Sequence, residues 1–107
     1  MTRIYDKLVR DRIPEIIEND GGVPVTRILD NDDYFCALNQ KLQEELAEYL
    51  EENCIEELAD IIEVVMAIAR YKGITEASLM DLRNKKKIER GGFEKRINLV
   101  RVNQIEK

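Results

Sequence analysis

The sequence has no histidine and no tryptophan, and it contains two cysteines and two prolines. Without histidine the chain lacks the usual general base and the commonest zinc ligand. Any hydrolytic chemistry would therefore depend on carboxylates, lysines or a metal-bound water. Cys36 and Cys54 lie in separate segments and form no C-x-x-C pair, which predicts buried or half-buried free thiols rather than a disulfide or metal ligands.

Long apolar runs are also missing. No run approaches the roughly 18 residues that would span a bilayer, and the first residues lack the apolar stretch and cleavage site of a secretory signal. These absences predict a soluble, cytoplasmic protein with no membrane contact. A length of 107 residues predicts one domain over residues 1–107.

Charge of one sign is in surplus, and it is unevenly distributed. The net charge of −5 argues against a nucleic-acid partner, because phosphate backbones are held by surplus Lys and Arg. Residues 44–63 are rich in acids and contain no base, whereas residues 83–96 are rich in bases. This division suits a site that combines metal and phosphate. Carboxylate clusters select hard ions, so Mg²⁺ is the expected cofactor and Mn²⁺ the alternative.

Hydrophobic spacing predicts an all-α fold. A short helix begins at Asp11-Arg12-Ile13-Pro14 and ends before Gly21-Gly22, and three longer helices cover about 33–52, about 54–72, and 75 to the Gly91-Gly92 pair. Residues 23–29 and 97–102 are rich in β-branched side chains, which predicts a short two-stranded pairing between them. The helix at 54–72 is apolar over more than half its circumference, which predicts a homo-oligomer, most simply a dimer packing as a four-helix bundle or more.

Four carboxylates form two acid-x-x-acid pairs. Glu45 and Glu48 lie in one predicted helix, Glu57 and Asp60 in the next, and residues three apart share one side of a helix. Both pairs are centred on the Glu52-Asn53 turn, so the four acids should form a level rectangle facing across a helical hairpin.

The apolar stripe of the second helix runs through the same region. Glu57 falls within the stripe of Ile61, Val64 and Ile68, so this acid should not point simply to solvent. Carboxylates gathered at interior dielectric repel one another unless cations neutralise them, which favours a metal site. The alternative is that these acids lie on solvated faces, where such pairs often arise by chance.

Three motifs carry a family resemblance. The run K-L-Q-E-E-L-A-E-Y at 41–49, followed by E-E-L-A-D at 56–60, resembles the E-x-x-E … E-x-x-D signature of MazG-type nucleotide pyrophosphohydrolases. K-L-V-R-D at 7–11 and R-G-G-F at 90–93 resemble the phosphoribosyl-ATP pyrophosphohydrolase-like branch. The resemblance covers nearly the whole chain. It implies an antiparallel helical bundle and Mg²⁺-dependent hydrolysis of a nucleoside triphosphate between its α and β phosphates, giving monophosphate and pyrophosphate.

The resemblance also implies residue roles. It implies metal ligation by Glu45, Glu48, Glu57 and Asp60. Asn84-Lys85-Lys86 resembles the N-x-K element of the family and Arg90 its following basic residue, so phosphate contacts are expected from Asn84, Lys86 and Arg90. Lys7 and Arg10 are further candidates for phosphate contacts. The alternatives are that the bases of the last helix complement its C-terminal dipole and that Lys7 and Arg10 are surface charges. Glu45, which is predicted nearest the apolar side, is the candidate for orienting or deprotonating the attacking water. Only eight residues separate Glu48 from Glu57, a tighter turn than in many MazG proteins, which implies a different or smaller base pocket.

Three other functions remain open from the sequence. A non-catalytic helical interaction protein would use the acidic hairpin and the basic helix for self-assembly or partner docking, with no Mg²⁺ dependence. A nucleotide sensor would keep the fold and the metal but release no pyrophosphate. Phosphoribosyl-ATP hydrolysis is the third alternative, and only the name of the family branch supports it.

Overall fold

A computed structural model describes residues 2–105, and within them every regular element is an α-helix. The four helices are α1 (Ile13–Asn19), α2 (Asn31–Glu52), α3 (Ile55–Tyr71) and α4 (Glu76–Arg90). The predicted all-α class is confirmed, and the three longer helices begin and end within about two residues of their predicted limits, the accuracy to which helix ends are defined.

The ends of α2 show how the sequence defines the hairpin. The Asp30 side chain accepts a hydrogen bond of 2.8 Å from the backbone N–H of Asp33 and so caps the first turn. At the other end Asn53 takes the left-handed conformation, with φ 55°, and its N–H donates to the Tyr49 carbonyl at 2.7 Å. Asparagine tolerates this region better than most residues. The helix therefore stops at Glu52, and α3 begins two residues beyond Asn53.

Helices α2 and α3 pack against each other as an antiparallel hairpin, and the buried apolar side chains lie there. Leu38 of α2, which is 2% exposed, is buried together with Val64 and Ala69 of α3. At the open end of the hairpin Phe35 stacks on Tyr71 with ring centroids 4.9 Å apart. The hairpin brings the acid-bearing halves of α2 and α3 side by side, next to the turn.

The chain divides into two compact units, and the boundary falls at the first residue of α4. The first unit runs to Glu76 and contains α1, α2 and α3. The second starts at Ala77 and contains most of α4 with the segment that follows it. No residue of α1 or α4 is buried. The core that the structure describes therefore belongs to the α2–α3 hairpin.

The predicted strand pairing between 23–29 and 97–102 does not appear, because residues 2–105 contain no strand. Most apolar side chains of both segments are exposed, including Val25, Ile28 and Leu99, while Leu29 is half-buried. β-branched composition favours an extended backbone, but a strand also needs a second backbone to complete its hydrogen bonds. In the described chain neither segment has such a neighbour. Across the same residues, none of the helices combines the length and the apolar character needed to cross a membrane.

Candidate metal centre

Three of the predicted acids meet in the hairpin near its turn. One carboxylate oxygen from each of Glu45, Glu57 and Asp60 lies within 4.8 Å of the others. Glu45 comes from α2, and Glu57 and Asp60 come from successive turns of α3. Because both helices start from the same short turn, residues at similar distances from it lie at the same level. The structure therefore brings these acids together, in agreement with their spacing in the sequence.

Two oxygens of this cluster are buried without a hydrogen-bond donor. Glu45 is only 5% exposed, and its Oε2 has no partner. The Oε2 of Glu57 is also inaccessible and has no donor. A buried carboxylate oxygen without a donor is costly, and most such atoms in folded proteins are satisfied by a proton donor or a cation. An oxygen-only donor set of this kind fits a hard divalent cation such as Mg²⁺ or Mn²⁺.

The electrostatics of Glu57 agree with this geometry. Burial, followed by repulsion from Glu48 and smaller effects of Glu52 and Asp60, raises the pKa of Glu57 from 4.5 to about 7. Both causes penalise the charged form, one by removing water and the other by adding negative neighbours. Near neutral pH this carboxylate is therefore stabilised by binding either a proton or a cation.

Glu48 occupies a different position from the other three acids. It is exposed and does not belong to the group of oxygens within 4.8 Å. It lies close enough to Glu57 to share a hydrogen bond with it, which two carboxyl groups can do only when one is protonated. In place of the predicted level rectangle of four acids, the structure has three grouped carboxylates, with Glu48 beside Glu57. Metal ligation by these residues stays a prediction.

Two cations contact the cluster, one at Asp60 and one at Glu45. Arg10 Nη2 lies 2.8 Å from Asp60 Oδ1, bringing the segment before α1 against α3. Lys41 Nζ lies 3.2 Å from Glu45 Oε1 and 3.8 Å from Glu44 Oε2. The sequence predicts Arg10 as a phosphate contact but does not predict its place beside the acids. Lys41 is not among the site residues predicted from the sequence, although its four-residue spacing from Glu45 is the signal that could have identified it.

The remaining predicted phosphate contacts are Lys7, which precedes α1, and three residues of α4. Lys7 Nζ is 5.8 Å from the ring centroid of Tyr5. Asn84 lies on α4, where its Oδ1 accepts a 3.0 Å hydrogen bond from Arg83. Lys86 and Arg90 are exposed on the same helix, in the unit after Glu76. Their role toward phosphate remains a prediction.

The turn itself supplies a second group of potential ligands that the sequence pattern does not predict. One ligand atom from each of Glu52, Cys54 and Glu57 lies within 4.8 Å of the others. Glu57 thus belongs to both groups. Cys54 and Cys36 are free thiols, but Cys36 is exposed, contrary to the expectation of burial, because it faces outward on the first part of α2.

Comparison with known proteins adds little to this geometry. A segment of 42 residues is 57% identical to an uncharacterised protein of Mycolicibacterium smegmatis. The matched segment covers 39% of this chain and 43% of that protein, so the chain matches less than half the length of its relative. No family model matches the chain, and no solved structure gives a significant match.

Proposed function

We propose that this chain is a Mg²⁺-dependent nucleoside triphosphate pyrophosphohydrolase with a helical bundle of the MazG-like type. The observation that carries the proposal is the pair of buried carboxylate oxygens, Glu45 Oε2 and Glu57 Oε2, that lack donors inside an acid cluster. A divalent cation would satisfy both atoms. The acid-x-x-acid motifs and the bases of residues 83–96 support the choice of a phosphate substrate.

In this proposal Glu45, Glu48, Glu57 and Asp60 hold Mg²⁺, or Mn²⁺ in its place. When bound, the ion supplies a Lewis acid that offsets the negative charge of the phosphates. Glu45 is the proposed general base, since its buried carboxylate has one oxygen without a donor and could accept a proton from the attacking water. Glu48, Glu57 and Asp60 serve as ligands alone, whereas Glu45 combines ligation with proton transfer.

The cations of the chain bind the substrate in this proposal. Arg10 is already held beside the acids by Asp60, so a phosphate bound at the cluster lies within reach of a guanidinium fork. The remaining proposed phosphate ligands supply ammonium, guanidinium and amide donors, and they are Lys7, Asn84, Lys86 and Arg90. The products are a nucleoside monophosphate and pyrophosphate.

Self-association forms part of the same proposal. Apolar side chains stay exposed on α3 at Ile55, Leu58 and Ile62, and Ile62 is 56% exposed. At 100° per residue this stripe lies roughly 160° from Glu57 and Asp60 around the helix axis. A second copy could therefore cover the stripe without covering the acids, giving a dimer that packs as a bundle of four or more helices.

A non-catalytic interaction protein is the second candidate, because apolar side chains are also exposed beyond the hairpin. Ile88 and Phe93 are almost fully exposed in the second unit, and exposed apolar groups often mark surfaces that bind a partner. This candidate predicts no nucleotide turnover and no dependence on Mg²⁺.

The deciding experiment measures pyrophosphate release from a panel of ribo- and deoxyribonucleoside triphosphates, with and without Mg²⁺. The native chain is compared with Glu57→Gln and Asp60→Asn, and Glu56→Gln serves as a matched control on the exposed side of α3. We expect Mg²⁺-dependent release that falls by about a hundredfold or more in both site variants, the scale of losing a group that stabilises the transition state. The control should retain native activity.

Two results would reject the enzyme. Absence of release from every nucleotide, with Mg²⁺ affinity unchanged in the site variants, would leave the interaction protein as the better interpretation. Nucleotide binding that depends on Mg²⁺ but gives no pyrophosphate would identify a sensor. Release that is equal in the native chain and both site variants would show that the activity lies at another site.

A further inference from the structure

Lys41 is a half-buried cation that the proposed reaction does not use. Its side chain is 19% exposed, and its ammonium lies 3.2 Å from Oε1 of Glu45. A lysine four residues before a glutamate is the less favourable order for stabilising an isolated helix. Helix stability alone therefore accounts poorly for this pair.

The contact distinguishes the two oxygens of Glu45. Lys41 occupies Oε1, whereas Oε2 is buried and has no donor. The ammonium thus restrains the carboxylate in one orientation and leaves a single oxygen available to a cation or to water. Without Lys41, both oxygens of this buried acid would be open to a divalent ion.

The charges around the cluster point the same way. Four carboxylates gather near the turn, and two cations contact them, Lys41 at Glu45 and Arg10 at Asp60. Glu44 beside Lys41 and Glu52 beside Glu57 add to these acids, so the ionised carboxylates outnumber the two cations and the cluster attracts a divalent ion. Removing either cation would make the cluster more attractive to metal.

We propose that Lys41 is a positioning residue that holds the Glu45 carboxylate by its Oε1. In this role Lys41 limits the attraction of the cluster for metal and leaves Oε2 oriented for the reaction with water. The inference rests on the proposed function for its catalytic consequence, but its consequence for metal binding can be measured separately. A merely structural ion pair would stabilise the helix, and its removal would not combine tighter metal binding with slower turnover.

The test measures Mn²⁺ affinity by calorimetry and pyrophosphate release in parallel, for the native chain and Lys41→Met. We expect Lys41→Met to bind Mn²⁺ about tenfold more tightly, because a positive charge has left the ligand set, while its kcat falls about tenfold or more. Tighter metal binding together with slower turnover is the opposite of what simple damage to the fold would give. Lys41→Gln repeats both measurements with a polar neutral side chain in case Lys41→Met folds poorly.

Two controls sharpen the result. Lys41→Arg keeps the cation and should return Mn²⁺ affinity and kcat close to native. Glu44→Gln removes the 3.8 Å partner of Lys41, and because a negative charge is lost near the cluster, Mn²⁺ affinity should fall slightly rather than rise, with kcat close to native. Mn²⁺ affinity that is unchanged or weaker in both Lys41→Met and Lys41→Gln would overturn the proposal. If no nucleotide is hydrolysed by the native chain but the neutral variants bind Mn²⁺ more tightly, the enzyme proposal fails and the role of Lys41 at the metal site stands.

Discussion

The α2–α3 hairpin and the segment from α4 to the end of the described chain both carry apolar side chains but use them differently. In the hairpin, Leu38 and Val64 are buried where two helices face each other. In the second unit α4 buries no residue, and Ile88 remains 86% exposed. The difference teaches that apolar residues at helical spacing produce a core only where a second element covers them.

The first prediction tests this contrast through stability. Leu38→Ala should lower the free energy of unfolding by about 2–5 kcal/mol, since it removes buried methyl groups and leaves a cavity between α2 and α3. Ile88→Ala, at an exposed position of α4, should change it by less than about 0.5 kcal/mol. Urea unfolding followed by circular dichroism measures both. If Ile88→Ala lowered the free energy of unfolding as much as Leu38→Ala, α4 would be covered in solution by a surface absent from the single chain.

The second prediction asks which exposed apolar surface joins two copies. Ile62→Asp should shift the chain from oligomer to monomer, because a charge would be buried in the contact between the α3 stripes. Ile88→Asp on α4 should leave the oligomer intact. Sedimentation equilibrium of the two variants and the native chain gives the mass directly. The reverse pattern would assign the contact to the second unit, and a native monomer would remove the oligomer from the proposal.

The third and smallest effect concerns pH and belongs to the hairpin alone. Because the pKa of Glu57 is raised from 4.5 to about 7 in the folded chain, the folded state holds a proton that the unfolded state has released between these values. The stability contributed by this group is therefore complete below about pH 4.5 and is lost as pH rises through 7.

Thermal unfolding of the metal-free chain between about pH 4.5 and 8 should show this loss, and Glu57→Gln should reduce it. Mg²⁺ affinity should rise over the same range, because binding competes with that proton. An equal pH slope in the native chain and in Glu57→Gln would show that other groups cause it.

Much of the hairpin could be predicted because its signals are local. Asp30 caps a helix through a side chain three residues from its partner, and Asn53 ends it by entering the left-handed region. With both helix limits near that turn, the level at which Glu45 meets Asp60 follows from the rise per residue. The acid cluster can therefore be expected from the spacing of its residues along the chain.

Segments 23–29 and 97–102 do not form the strands that their composition predicts. Their β-branched residues favour an extended backbone, but a strand is completed by a partner that can lie anywhere in the chain. The approach of Arg10 to Asp60 depends in the same way on a contact between residues 50 positions apart. Charge and residue type alone give no reason to place Arg10 at that acid rather than at a phosphate.

The sequence by itself determined the helical class, the position of the turn and the convergence of two acid pairs, since each depends on local conformation and on helix periodicity. Only the tertiary structure decided that Glu45 is buried, that its Oε2 and that of Glu57 lack donors, and that Glu48 stays exposed. The physical reason is that burial and missing hydrogen bonds depend on every neighbouring atom, including those from distant segments. The periodicity of one helix specifies none of those neighbours.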